Sequence, residues 1–254
     1  MTTIPDDWMP AVPMKRIHLH WTVGRYKPNA TDLKSYHILI DGDGKPVRGN
    51  GSIANNAPGA SGKQVSHTLN ANTGAIGVSL CSMVGAKESP FNPGPNPFTK
   101  VQWEAAVSVI ARLALQYEIG VTPVTILTHA EVEPNLLIKQ NGKWDITRLP
   151  FDDGVSGFKP VGDKLRREVA AVLDILKGIP NTPPTDPSLM LPRFRVRGVA
   201  PSTLNIRGNP GGEKVGALAE GTRLERLGIV DGWWHVRTPA GYTGWVWHSF
   251  LVPA

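Results

Sequence analysis

Apolar and polar positions change their period several times along this chain, and each change predicts an element. RIHLHWT (residues 16–22) alternates apolar residues with His18 and His20, which predicts a strand carrying two histidines on one face. Further apolar runs at residues 37–40, 76–82 and 124–128 predict strands, and DGDG (residues 41–44) predicts a turn between two extended pieces. In FTKVQWEAAVSVIARLALQYEIG (residues 98–120) the period becomes helical. Thr99 and Gln102 form a capping box there, and Trp103, Ala106, Val107, Ile110, Leu113, Ala114 and Tyr117 share one face. A second helix is predicted over residues 163–177, stopped by Gly178 ahead of a proline. Strands interleaved with helices indicate an α/β domain with a mixed central sheet flanked by helices.

The pattern then breaks. GIPNTPPTDPSLMLP (residues 178–192) holds five prolines and no periodic apolar positions, so it reads as an extended linker between domains at residues 1–177 and 193–254. Beyond it, short β-type runs are interrupted by Gly, Pro, Asn or Asp every eight to twelve residues, the pattern of a small all-β barrel. At least two of Trp233, Trp234, Trp245 and Trp247 are expected in the core of so small a barrel.

Composition narrows the class. With 41% hydrophobic and 19% charged residues among 254, and no apolar run of about 20 residues, the chain reads as soluble with no stable membrane insertion. MTTIPDDWMPAVPMK has no basic head and no apolar core, so synthesis in the cytoplasm without a signal peptide is expected. The net charge of +6 is uneven: from Arg193 onward there are eight Lys+Arg against four Asp+Glu. A basic tail favours a polyanionic partner, whether nucleic acid, membrane surface or cell-wall polymer. Cys81 is the single cysteine, which rules out an internal disulfide and a cysteine-cluster metal site and fits a small buried apolar residue.

Five of the seven histidines, His18, His20, His37, His67 and His129, lie in or beside predicted strands of the first domain. Lys143 and Asp145 flank a tryptophan in NGKWDIT. Zinc accepts nitrogen and oxygen ligands in a tetrahedron, and a catalytic site uses three protein ligands, so two histidines and one aspartate suffice. Spacing alone leaves a His18–His20 chelate open, and scattered structural histidines equally so.

IHLHWTVG, SYHILIDGDG, SHTLNANTGAIGVSL, FTKVQWEAAVSVIARLALQY, ILTHAEVEPN and GKWDI resemble, in order, the landmarks of the zinc-dependent N-acetylmuramoyl-L-alanine amidases of the phage lysozyme and peptidoglycan-recognition type, over roughly residues 15–149. The resemblance implies zinc held by His20, His129 and Asp145, with His18 a neighbour of the ligand. It assigns Lys143 to the oxyanion formed during amide attack, and Tyr36 to the metal site as a hydrogen-bond donor or orienter of water. It places His67 and Asn72 beside the groove as substrate contacts, leaves His37 structural, and gives Glu131 a loop-supporting role. Two departures stand out: Ile146 and Thr147 follow Asp145 where the family often has Pro-Gly, and the sixteen positions from His129 to Asp145 imply a larger connecting loop.

LNIRGNPG, GWWHV and GYTGWVWHSFL resemble the bacterial SH3 domains that bind cell walls. Arg207 is expected to be structural. A nucleic-acid-binding barrel is the weaker reading, since no stacking platform can be read, and no nucleic-acid partner is expected. Together the resemblances imply a peptidoglycan-cleaving amidase with a wall anchor; the missing signal peptide suggests a phage or prophage endolysin released through a holin-type pore, and the oligomeric state is open, with a monomer favoured. The alternatives are a recognition protein that binds muropeptide without cutting it, and an intracellular muropeptide-recycling amidase.

Overall fold

A computed structural model describes residues 2–178, 193–239 and 241–254. The chain divides into two compact units, Met1–Asn181 and Thr182–Ala254. The linker expected at residues 178–192 lies, from residue 179 on, outside the described residues.

The first unit is built on β1 (Arg16–Trp21), β2 (Ile38–Ile40), β3 (Pro46–Arg48), β4 (Ala75–Leu80) and β5 (Ile126–Thr128), in the order β3-β2-β4-β1-β5. Strands β2, β4, β1 and β5 run parallel, and β3 turns back antiparallel on the edge, so the sheet is mixed as expected. A parallel strand covered on both faces must be apolar on both, and residues 17–21 are all buried. His18 and His20 are therefore in the interior, with neither ring facing bulk water.

Helix α2 (Lys100–Gln116) starts at the capping box formed by Thr99 and Gln102. Gln102 is fully buried because its amide has two jobs: Nε2 donates to the carbonyls of Ile40 and Cys81 at 3.1 Å, tying the helix to β2 and the segment after β4. The buried face is wider than the predicted stripe, taking in Ala105, Val109 and Ala111 as well. The cause is α4 (Phe158–Leu176), which packs on α2 and receives the Trp103 Nε1–H at Glu168 Oε2, 2.6 Å away.

Helix α4 begins five residues ahead of the predicted start. Pro160 sits in its first turn, where no intrahelical N–H partner is lost, so the proline does not mark an end. Gly162 is required by packing: a Cβ there would lie 2.0 Å from Glu131 Oε1. Two short helices, α1 (Ala30–Ser35) and α3 (Val132–Leu136), were not foreseen from the sequence. Among the described residues, no helix is long and apolar enough to cross a membrane.

The second unit is all-β: β6 (Arg193–Val196), β7 (Leu204–Arg207), β8 (Lys214–Leu218), β9 (Arg223–Val230), β10 (Trp233–Arg237), β11 (Thr243–Trp247) and β12 (Leu251–Pro253). They form one antiparallel sheet, β12-β6-β9-β10-β11-β7-β8, around Val196, Leu204, Ile206, Leu224, Val236 and Val246. This is the SH3-like architecture expected. The tryptophans differ from expectation. Only Trp234 packs on this core; Trp233 and Trp245 are half-buried and Trp247 is exposed. Alternation explains it: Val236 and Val246 take the inward positions of β10 and β11, and Trp233, Trp245 and Trp247 occupy the outward ones. There Trp233 meets Trp247 edge to face at 5.3 Å, and His235 stacks on Trp245 at 4.9 Å.

In the first unit, Arg166 of α4 donates to both carboxylate oxygens of buried Glu131, at 2.8 and 3.1 Å, and to the Ile126 carbonyl at the start of β5. Removing the cation from a buried pair strands the carboxylate, so Arg166→Ala should lower unfolding free energy in urea by about 3–5 kcal/mol. A loss under about 1 kcal/mol would show that the pair does not fasten this corner.

Candidate metal centre

The carboxyl ends of parallel strands form the edge at which α/β sheets gather functional groups. His20 is the penultimate residue of β1, and His129 follows the last residue of the adjacent β5. His129 opens a 3-10 turn, His129–Glu131, closed by a capping box between Thr128 and Glu131. Glu131 Oε2 accepts the Thr128 N–H at 3.0 Å while Arg166 holds the same carboxylate from α4. The support role expected of Glu131 is what its geometry provides. The third residue comes from a distant loop, and the backbone brings it in: Ala130 N–H donates to the Asp145 carbonyl at 2.6 Å.

Three side-chain atoms converge. His20 Nδ1 lies 3.0 Å from His129 Nδ1 and 3.2 Å from Asp145 Oδ2, and His129 Nδ1 lies 3.1 Å from the same oxygen. A tetrahedral ion with ligands at about 2.0 Å separates its ligand atoms by about 3.3 Å, so the triangle fits one zinc-sized ion. The donor chemistry fits too. Two nitrogens and one carboxylate oxygen form the donor set of a catalytic zinc site, and all three residues are buried.

Ring orientation is fixed from behind. Gln140 Oε1 lies 3.0 Å from His129 Nε2, which makes that nitrogen the N–H and leaves Nδ1 with its lone pair toward the centre. Gln140 is itself locked, its amide donating to the carbonyls of Leu69 and Ile138 and its N–H to Glu133 Oε2. His67 does the same for His20: its Nδ1 lies 3.2 Å from His20 Nε2. The His67 ring lies over β4 at Gly77, where a Cβ would come within 2.6 Å of the ring, so only glycine admits it. Thr68 Oγ1 is 2.8 Å from His67 Nδ1 and 3.0 Å from His18 Nδ1.

Burial sets the protonation. Desolvation lowers His20 to about 4, against the partial recovery given by Asp145, so the ring is neutral at pH 7 with a lone pair to offer. Burial pushes Asp145 upward, but the imidazoles of His129 and His20 set against its Oδ2 outweigh burial and hold the carboxyl at about 2. His18 and His67 are driven well below the usual histidine value by desolvation and by neighbouring imidazoles. Burial, followed by the charge of Asp145, raises Tyr36 above the ordinary phenol range, so its hydroxyl stays protonated.

The predicted residues therefore separate into groups. His20, His129 and Asp145 meet at the centre, while Tyr36, Lys143, His67 and Asn72 line the groove of about 480 Å³ that opens beside it. Asn72 Oδ1 accepts the N–H groups of His67 and Thr68, bracing the loop that carries His67. His18 reaches Thr68, and its Nε2 has no hydrogen-bond partner among the described residues. His37 packs at the far side of His67, its Nδ1 accepting the Gly77 N–H at 2.9 Å. Gln140 escaped the sequence reading; the only cue was a polar residue in the loop between His129 and Asp145.

A mixed sheet whose parallel carboxyl edge gathers two histidines and an aspartate defines an α/β protein built around a candidate metal centre. The family profile of the N-acetylmuramoyl-L-alanine amidases matches residues 10–146, which include the whole triangle, and the chain belongs to that family. A bacterial SH3 domain profile matches residues 202–252. Among solved structures, the chain is similar to N-acetylmuramoyl-L-alanine amidase LysC from Clostridium intestinale, with 17% identity, 50% of this chain and 88% of that one covered, and a TM-score of 0.32. It is similar also to the endolysin of Thermus scotoductus bacteriophage Ph2119, with 16% identity, coverage of 50% and 82%, and a TM-score of 0.32. Drosophila peptidoglycan recognition protein SA gives 17% identity, coverage of 47% and 69%, and a TM-score of 0.32. No curated protein matches the chain.

Burial also makes this unit acid-sensitive. His37 is lowered by desolvation from 6.5 to about 3, so between those values the unfolded chain binds a proton that the folded chain refuses. Stability must then fall as pH falls through that window. His37→Gln, which keeps an acceptor for the Gly77 N–H, should remove about 1.5 kcal/mol of the stability lost between pH 6.5 and 5. Urea unfolding at both pH values checks this; an unchanged loss would mean that His37 is not titrating.

Proposed function

We propose that the protein is a zinc-dependent N-acetylmuramoyl-L-alanine amidase that hydrolyses the amide between the lactyl group of N-acetylmuramic acid and L-alanine in peptidoglycan. Its SH3 unit, in this reading, holds it to the wall, and its role is that of an endolysin. The observation that carries the proposal is the triangle of His20 Nδ1, His129 Nδ1 and Asp145 Oδ2, with sides of 3.0–3.2 Å, inside the segment that belongs to the amidase family.

His20, His129 and Asp145 would hold the zinc. When bound, zinc lowers the pKa of a coordinated water to about 7 and acts as a Lewis acid toward a carbonyl. The remaining chemistry belongs to the chain. Lys143 lines the groove, and in this reading its ammonium stabilises the carbonyl oxygen as it becomes negative. Tyr36 lines the same groove with its ring 5.3 Å from that of His20, and in this reading its hydroxyl serves as a donor. Gln140 and His67 hold the two imidazoles against rotation, so the donor atoms need not reorganise.

Mass spectrometry of digested peptidoglycan tests the activity: free stem peptides with intact glycan strands are expected, and intact muropeptides would overturn it. Elemental analysis tests the ligand set. His20→Ala, His129→Ala and Asp145→Ala should each lose zinc, while His18→Ala keeps about one ion per chain. Lys143→Ala should keep zinc and fold but lose about 100-fold or more in turnover, the scale of one missing oxyanion donor. Near-normal turnover would remove Lys143 from that role. Gln140→Leu should weaken zinc binding by about 10–100-fold in competition with a chelator, as loss of a hydrogen bond to a ligand histidine does.

A further inference from the structure

The SH3 unit carries a charged face that neither its fold nor its core explains. Strand β6 reads Arg193, Phe194, Arg195, Val196, with Val196 buried in the core and Phe194 packed against it. Arg193 and Arg195 must then point outward together. The register carries the pattern across the sheet: Arg193 lies opposite Glu225 and Arg195 opposite Arg223 on β9, with Leu224 inward between them. Arg237 of β10 lies on the other side of Glu225. Four arginines and one glutamate thus share one face of three neighbouring strands.

This arrangement works against the fold. Like charges placed directly opposite on adjacent strands are destabilising, and Arg195 faces Arg223 in that way. Glu225 lies 3.5 Å from Arg193 and 3.6 Å from Arg237, while among the described residues Arg195 and Arg223 have no carboxylate partner. Two other arginines of this unit are engaged: Arg226 lies over the rings of Phe194 and Trp234, and Arg207 over Trp233. Arg193, Arg223, Glu225 and Arg237 also line a surface groove. A face that keeps two unpaired guanidinium groups side by side is suited to an anion that supplies the missing charge.

We propose that this arginine face binds peptidoglycan through the free carboxylates of its peptide stems. The inference rests on the amidase reading for the identity of the polymer. The guanidinium fork matches a carboxylate with two parallel hydrogen bonds. A polymer that repeats the carboxylate engages several arginines at once, so that contacts weak singly at an exposed surface add up. Arg193 and Arg195 stand about 7 Å apart along β6, and adjacent strands about 5 Å apart, which gives the face a grid of cations for a multivalent anion. Peptidoglycan meets this requirement and also presents the amide that the first unit is proposed to cut.

The test uses the full chain sedimented on ice with purified peptidoglycan free of phosphodiester polymers, at about 50 mM salt, where surface charges are weakly screened. Arg195→Glu and Arg223→Glu each turn the like-charged pair into an opposite-charged one, so both variants should unfold at or above the wild-type temperature. Both should nevertheless lose 10-fold or more in wall binding, and the wild type should lose as much on peptidoglycan whose carboxyls have been converted to amides. Unchanged binding by the variants, or equal wild-type binding to amidated wall, overturns the proposal. So does binding that appears only on walls carrying phosphodiester polymers or on vesicles of anionic lipid. Turnover of a soluble muramyl peptide separates the two readings: the variants should cut it as fast as wild type. A wild type that cuts nothing but still binds wall by its carboxylates fails the amidase reading alone.

Discussion

The first unit depends on one constraint: imidazoles buried in a dry sheet edge must remain neutral, and each must be told which nitrogen carries its proton. Strand β1 is covered on both faces, so His20 cannot take orientation from solvent. Its Nδ1 converges on His129 and Asp145, and its Nε2 ends on His67. Desolvation, which lowers His20 to about 4, is also what makes it an available donor at neutral pH. The cost of burying polar rings and the readiness of the site have the same cause.

From that constraint the supporting structure follows. His129 must be aimed at a strand it does not belong to, and a tight turn closed by Glu131 aims it. Glu131 is a buried carboxylate that needs a cation, which Arg166 supplies from α4. Gly162 leaves room for that carboxylate, and Gly77 leaves room for His67. A helix on one side and a loop on the other are thereby coupled to two ring nitrogens. This coupling distributes the site over residues 18 to 166, although the atoms that meet span barely more than 3 Å.

Much of the fold was legible in the sequence because it is written in short-range patterns. The period of two in β1, the capping box at Thr99 and the turn-rich tail each predicted an element that forms. The convergence of His20, His129 and Asp145 was legible only through resemblance, since spacing could not distinguish that set from His18 with His20. What stayed hidden depends on contacts between distant segments. His67 was expected to touch substrate, and it does border the groove, but its Nδ1 is directed at His20. Gln140 showed in the sequence only as a polar loop residue, because its pairing with His129 is fixed by the fold. The tryptophans of the SH3 unit misled for a different reason. Size suggested core, whereas alternation along β10 and β11 gave the inward positions to valines and left three indoles outside.

The two units use polar groups in opposite electrostatic regimes. In the first, low dielectric makes single contacts decisive: Asp145 Oδ2 lies 3.1–3.2 Å from two imidazole nitrogens, and its carboxyl is held below the usual range although burial pushes it up. In the second, the outward arginines are solvated and screened, so each stabilises the fold little. Water exclusion suits a site that must present a fixed set of donors to a reacting bond. Exposure suits the polymer contact proposed for the second, where many weak contacts form and each breaks independently. If the proposed activity and the proposed wall contact both hold, joining the two in one chain divides the work by dielectric: the buried histidines supply geometry and the exposed arginines supply reach.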